Sequence, residues 1–192
     1  MPHITYRIIL VVGDNHKEIA MKYSADKNDN PKAYYKYQRC QQTRLEKTGE
    51  EGDFSDPFPL KNGEKSYSAH YNDIDWEQIH RNPQKIKLNE RVWDLVLNDD
   101  EPQNEYEKTI KNRMFEKIDY FVDNFKSKED FINYSTSLWY WGIATKEKYE
   151  EVNSESDNND TIMDWCVNFF DNFIKPLENT NPLITIYETH SL

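Results

Sequence analysis

Residues 4–24 read "ITYRIILVVGDNHKEIAMKYS". Tyr6 to Val12 is a β-branched run with little polar alternation. That pattern predicts a strand buried on both faces rather than one with a solvated side. Gly13-Asp14-Asn15 supplies a turn, and Asn15 is of the type that caps a helix N-terminus. His16 to Tyr23 then places Ile19, Ala20 and Tyr23 on one helical face. The segment is a strand–turn–helix unit, and its tight turn lies at the carboxyl end of the strand, where open α/β sheets tend to place ligands. One glycine does not make a phosphate loop, so Gly13 predicts a turn and no more.

At the other end, "NPLITIYETH" (181–190) predicts a turn followed by a strand from Leu183 to Thr189. Between the two strands the helical period dominates. "AYYKYQRCQQTRLEKT" (33–48) reads as a helix closed by Gly49. "GEEGDFSDPFPLKNGEKS" (49–66) holds three glycines and two prolines and reads as a loop pinned by Phe54, Phe58 and Leu60. "LNERVWDLVLND" (88–99) predicts a helix capped by Asn89, with Val92, Trp93, Val96 and Leu97 inward. "EPQNEYEKTIKNRMFEKIDYFVDNF" (101–125) predicts one long helix. Its apolar stripe runs through Tyr106, Ile110, Met114, Ile118, Phe121, Val122 and Phe125. Ser127 is the expected cap of a helix over Phe131 to about Thr136. "LWYWGIATKEKYEEV" (138–152) reads as a strand running into a charged segment. "TIMDWCVNFFDNFIKP" (161–176) reads as a central helix started by Asp160 and stopped before Pro176. The fold class that follows is α+β. A small mixed sheet includes the N- and C-terminal strands and is packed mainly on one face by several helices.

The 192 residues fit a single domain over 1–192, with a long ordered loop at about 49–72. Thirteen Tyr, nine Phe and five Trp supply a packable core, which disordered chains lack. The mean hydropathy of -1.00 reflects a surface rich in Asn, Asp, Glu and Lys. Net charge is -11 and uneven: residues 127–192 carry four basic and twelve acidic side chains. Such a balance repels phosphates, so direct nucleic-acid binding through a basic footprint is not expected. An acidic face suits a basic protein partner, or serves solubility alone. The apolar run 8–12 is too short for a secretory signal, and no segment approaches the roughly 18 apolar residues of a membrane span. Cys40 and Cys166 form no CxxC pair. A cytoplasmic chain with reduced thiols is the expectation.

Candidate chemistry concentrates in "SYSAHYNDIDWEQIH" (66–80), where His70, Asp73, Asp75 and His80 lie within eleven positions. His and carboxylate together suit zinc, iron or manganese. No HxH, HxxxH or HExxH spacing is present, however. The competing reading has Asp73 or Asp75 capping a short helix from Trp76 to Ile79, with Trp76 and Ile79 inward and His80 facing solvent. Asp14 and His16 form a second candidate beside the buried strand, against the simpler reading of a capped turn. Cys40 could pair with a histidine as a nucleophile, but no local motif supports it. Cys166 falls on a helix expected to be buried. "SLWYWGIAT" (137–145) gathers three large aromatics that could stack on a ring ligand, pack a core or meet a protein. No cofactor is expected from any motif, and a divalent metal is the one the 70–80 cluster would take.

Three segments, "YRIILVVGDNHKEIAMKYS" (6–24), "YQRCQQTRLEKTGEEGDFSDPF…YSAHYNDIDW" (37–76) and "FFDNFIKPLENTNPLITIYE" (169–188), resemble an uncharacterised family of tailed-phage proteins. The resemblance implies a phage protein made in the host cell cytoplasm. That family has no assigned activity, so no catalytic residue carries over. The sequence thus favours a small acidic accessory protein that binds a host or phage protein. The alternative is a metal-dependent hydrolase or nucleotide-processing enzyme using His70, Asp73, Asp75 and His80.

Overall fold

A computed structural model describes residues 5–23, 43–47, 56–152 and 159–191. The chain divides into two compact units. A sheet unit comprises Met1–Trp76, Trp139–Val152 and Asp171–Leu192, and a helical unit comprises Glu77–Leu138 and Asn153–Phe170.

In the sheet unit, β1 (Thr5–Val12) lies between β8 (Leu183–Ser191), antiparallel, and β6 (Gly142–Ala144), parallel. The first and last described strands are therefore neighbours, as the sequence predicts for an α+β fold. β8 also pairs antiparallel with β2 (Thr43–Lys47) and β5 (Ser68–His70), which lie end to end along its other side. β7 (Tyr149–Glu151) closes the order β2-β8-β1-β6-β7 through a hairpin with β6. A second, two-stranded sheet joins β3 (Phe58–Pro59) to β4 (Lys65–Ser66).

The buried run behaves as its composition requires. Ile9, Leu10 and Val11 are all fully buried, so both faces of β1 are covered. Each such side chain contributes roughly 1.5–3 kcal/mol through burial. On one face, α1 (His16–Tyr23) lays Ile19, Ala20 and Tyr23 against Ile9, Val11, Ala144 and Tyr187. On the other, Leu10, Ile184 and Ile186 are buried. Gly13 makes the strand–helix turn with φ +133, a conformation that L side chains rarely adopt. Its N–H donates to the Leu183 carbonyl at 2.8 Å, which ties the turn to the start of β8.

Several boundaries differ from the sequence reading. Thr43–Lys47 is a strand, not the end of a helix, because β8 offers it an edge from the far end of the chain. Residues 33–42, with Cys40, lie outside the described residues. Of the expected loop at 49–72, residues 49–55, with Phe54, lie outside the described residues, and residues 56–72 contain β3, β4 and β5. Residues 138–152 form the β6–β7 hairpin instead of one strand.

The helical unit begins with the end of α2 (Trp76–Ile79). α3 (Pro83–Leu97) starts well before the expected Asn89. Pro83 opens this helix: Asn82 caps it by accepting from the N–H of Gln84 and Lys85, and proline suits the first turn. The expected single helix over 101–125 is two, α4 (Glu105–Phe115) and α5 (Ile118–Asn124). Apolar residues four apart advance about 400° around a helix and drift from any one face. The break at Glu116–Lys117 re-aims Phe121 and Phe125 at the core. Tyr106 and Val122, expected inward, are exposed. α6 (Lys128–Thr136) is capped by Ser127 as predicted, its hydroxyl accepting the Asp130 N–H. α7 (Asn159–Phe169) runs on into a π turn, Phe170–Ile174, and a 3₁₀ turn, Lys175–Leu177, that takes in Pro176.

The core of this unit is Val92, Val96, Phe121, Phe125 and Phe131, with Trp93, Ile110, Met114 and Met163 packed around it. Rings of Phe121, Phe125 and Phe131 meet at 5.0–5.7 Å. Arg91 locks the link between α3 and α4. It grips Glu107 bidentately (Nε 3.2 Å, Nη2 2.7 Å), donates to Asp100 through Nη1 at 2.9 Å and reaches the Glu101 carbonyl at 2.8 Å.

Candidate functional site

The stretch 70–80 is built into local structure along its whole length. His70 ends β5 opposite Leu183, and its Nδ1–H donates to the Asn181 carbonyl at 3.1 Å. The Tyr71 N–H donates to Pro182 (3.0 Å) and the Asn72 N–H to the Asn181 side chain (2.8 Å). Residues 70–72 thereby strap the turn that feeds β8. Asp73 accepts the Lys61 N–H with its main-chain carbonyl, and Asp75 donates its main-chain N–H to Pro59. The two aspartates thus join the chain to the β3–β4 hairpin through their backbones.

The short helix Trp76–Ile79 is where the sequence places it. Trp76 packs edge-on to Phe58 at 6.0 Å and donates Nε1–H to the Tyr71 carbonyl at 3.0 Å. His80, expected to face solvent, is half-buried. Its ring stacks flat on Phe170 (centroids 4.1 Å apart, planes 8° apart), and its Nδ1 accepts the Leu138 N–H at 3.2 Å. The next residue, Arg81, takes a left-handed φ of 50, and its N–H donates to the Thr136 carbonyl at 2.7 Å. Among the described residues, no group of three or more His, Cys, Asp or Glu side chains is arranged to hold a metal ion. His70, Asp73, Asp75 and His80 are all described, and each is engaged in its own local structure.

At the second candidate, Asp14 is exposed in the turn and His16 is half-buried at the start of α1. His16 Nδ1 lies 2.7 Å from the Tyr187 hydroxyl, across 171 residues of sequence. Burial pushes the Tyr187 hydroxyl up to about 12, so it bonds to the imidazole in its neutral form. The pair fixes the orientation of His16 at the carboxyl end of β1. Cys166 is buried on α7, as expected for a core residue.

Two surfaces were only partly legible in the sequence. On α5, Asp119, Tyr120, Val122 and Asp123 are all exposed, and they fall within one arc of the helix. Tyr120 is 48% and Val122 61% exposed. In the sheet unit, Trp139 is 47% exposed beside Trp141, while Tyr140 between them is buried. The spacing 118, 121, 125 leaves 119, 120 and 123 on the outer side and puts 122 at the edge of the inner stripe. No signal pointed to Arg7, which stands over Trp141.

Comparison with protein-family models, curated proteins and solved structures finds no match for this chain. Among the described residues, no helix is long and apolar enough to cross a membrane.

Proposed function

We propose that this is a small acidic accessory protein, phage-encoded and made in the host cytoplasm, that acts by binding a host or phage protein. The observation that carries the reading is the exposed face of α5. Asp119 and Asp123 stand one turn apart in the middle of that face, with exposed Val122 on one side of them and exposed Tyr120 on the other, while Phe121 on the inner side is 3% exposed. Tyrosine is enriched at protein interfaces, and a pair of carboxylates set between exposed apolar side chains selects a partner of opposite sign. With a chain charge of -11, that partner is a basic protein surface. Contact with nucleic-acid phosphates is not part of the reading.

The test is capture from bacterial lysate by immobilised protein, run in parallel with the double variant Tyr120→Ser/Val122→Ser. Val122→Ser should change stability by no more than about 0.5 kcal/mol, and Tyr120→Ser also gives up the ring's edge contact with Phe125, so the double variant's circular dichroism spectrum is checked first. The expected result is a stoichiometric basic partner that weakens with rising salt and is lost with the double variant. No stoichiometric partner at any salt concentration, or equal capture by the variant, refutes the reading.

A further inference from the structure

Asn62-Gly63 is the one Asn-Gly pair in the chain, and it stands at the tip of the β3–β4 hairpin. Residues 61–65 are all exposed. The Gly63 N–H donates to the Leu60 carbonyl at 2.9 Å, which makes 60–63 a tight turn, and the Leu60 N–H donates to the Glu64 carbonyl at 2.9 Å. Gly63 takes φ +87, and nothing lies within 4 Å of where a Cβ would stand. Neither a side chain at 63 nor a packed neighbour crowds that flank of the turn. The Asn62 side chain is held at both ends by one residue. Its Oδ1 accepts the Glu64 N–H at 2.9 Å, and its Nδ2 donates to Glu64 Oε2 at 3.0 Å. The first of these bonds closes an Asx turn, which folds the carboxamide back over the Gly63 peptide.

We propose that Asn62 is a self-modification site in the folded protein, deamidating through a succinimide formed with Gly63. The Gly63 nitrogen attacks Asn62 Cγ, the N–Cγ bond closes the ring, and the Cγ–Nδ2 bond breaks. The Gly63 nitrogen gives its proton to hydroxide, and Nδ2 takes one from water and leaves as ammonia. Water then opens the ring at either carbonyl, giving aspartate or isoaspartate. No oxidant or cofactor takes part: amide and water become carboxylate and ammonium. The turn favours the attack in two ways. The Glu64 N–H points at the oxygen on which negative charge builds as Cγ becomes tetrahedral. The Asx turn also holds the carbonyl carbon beside its nucleophile. One contact opposes it, because the Gly63 N–H must first leave the Leu60 carbonyl. That bond lies at an exposed hairpin tip, the kind of place that opens most readily. In the product a carboxylate replaces the amide that donated to Glu64. Isoaspartate also adds one backbone atom between Leu60 and Glu64, which shifts their pairing. The site uses no residue of the α5 face and does not depend on it.

The experiment ages the intact protein in mildly alkaline buffer, native and in urea, with a freshly purified sample as background. Trypsin cuts after Lys61 and Lys65, and mass spectrometry reads the peptide between them. In the native protein that peptide should gain the mass of exchanging NH₂ for OH, at least as fast as in urea. It should elute as two peaks, and the isoaspartate peak should be labelled by an isoaspartyl methyltransferase. Gly63→Ala should lose the gain over the same period. Alanine is strained at this φ, so the variant's circular dichroism spectrum is checked first, and the comparison of native with urea-unfolded protein stands without it. The proposal is overturned if Asn62 stays intact in the native protein while it reacts in urea, because the turn then shields the amide. It is also overturned if Asn62 reacts in neither state, if another asparagine of the native protein outpaces it, or if Gly63→Ala ages at the same rate.

Discussion

In the sheet unit Ile9 lies opposite Tyr187, and His16 bonds to that same tyrosine. In the helical unit Phe121, Phe125 and Phe131 meet within eleven consecutive residues. One unit is organised by backbone pairing between distant segments, the other by side chains that are already close in sequence. The first should be sensitive to anything that disturbs strand approach. The second should be sensitive to truncation of its rings, and forgiving at its surface.

The largest expected effect tests the helical side of that contrast. Phe121→Ala removes a ring that is 3% exposed and touches two others, and should cost about 3–5 kcal/mol. Urea denaturation gives the magnitude, and hydrogen exchange shows where it falls. Loss of protection should concentrate in α3, α5 and α6. Equal loss across β1 and β8 would break the distinction between the units.

Next comes Gly142→Ala in the sheet unit. A Cβ there would sit 2.7 Å from the Glu150 carbonyl oxygen and 2.9 Å from Ile9 Cδ1, so the β6–β7 hairpin or β1 must shift. The expected cost is about 1–3 kcal/mol for a change of one methyl group, read by thermal or urea unfolding. A neutral result would mean that strand approach is looser than the paired register implies.

Tyr187→Phe removes one hydrogen bond and should cost about 1 kcal/mol. Its sharper signature is pH. The hydroxyl titrates near 12 in the folded chain against an ordinary 10.0, so the unfolded chain ionises first. The contribution is complete below about pH 10 and is lost as the pH rises toward 12. Alkaline unfolding of the variant should lack that component.

The smallest effect belongs to Glu107→Gln. The hydrogen bond from Arg91 holds the Glu107 carboxyl below its ordinary 4.5, helped by the Gln103 N–H. The contribution is therefore present above pH 4.5 and fades as the pH falls through the lowered value. Wild type and variant should differ in unfolding midpoint at neutral pH and converge in acid. A gap that persists in acid would mean that Arg91 acts through packing rather than charge.

The sequence carried the parts of the fold that are locally consistent. The run at 8–12, the helix His16–Tyr23, the Ser127 cap and the helix Trp76–Ile79 all combine pattern and punctuation in one place. It missed what depends on a distant partner. Thr43–Lys47 has nothing in its own composition to outvote a helix until β8 lies beside it. Asn82-Pro83 carries a signal of two meanings, since proline ends one helix and also suits the first turn of the next, which here it opens. The same holds for side chains. His80 lies flat on Phe170, and His16 bonds to Tyr187, because chain segments meet that share no local pattern.

β8 pairs with β1, β2 and β5, so three strands wait on one. During synthesis those three leave the ribosome well before residues 183–191 are made. The helical unit has all of its residues once position 170 has emerged. The growing chain therefore holds a completed helical unit while β1 still presents a bare, apolar edge on the side that β8 will cover. Such edges invite intermolecular pairing and chaperone capture. Slow translation between residues 170 and 191 would lengthen that exposure, and the expected consequence is aggregation of the nascent chain.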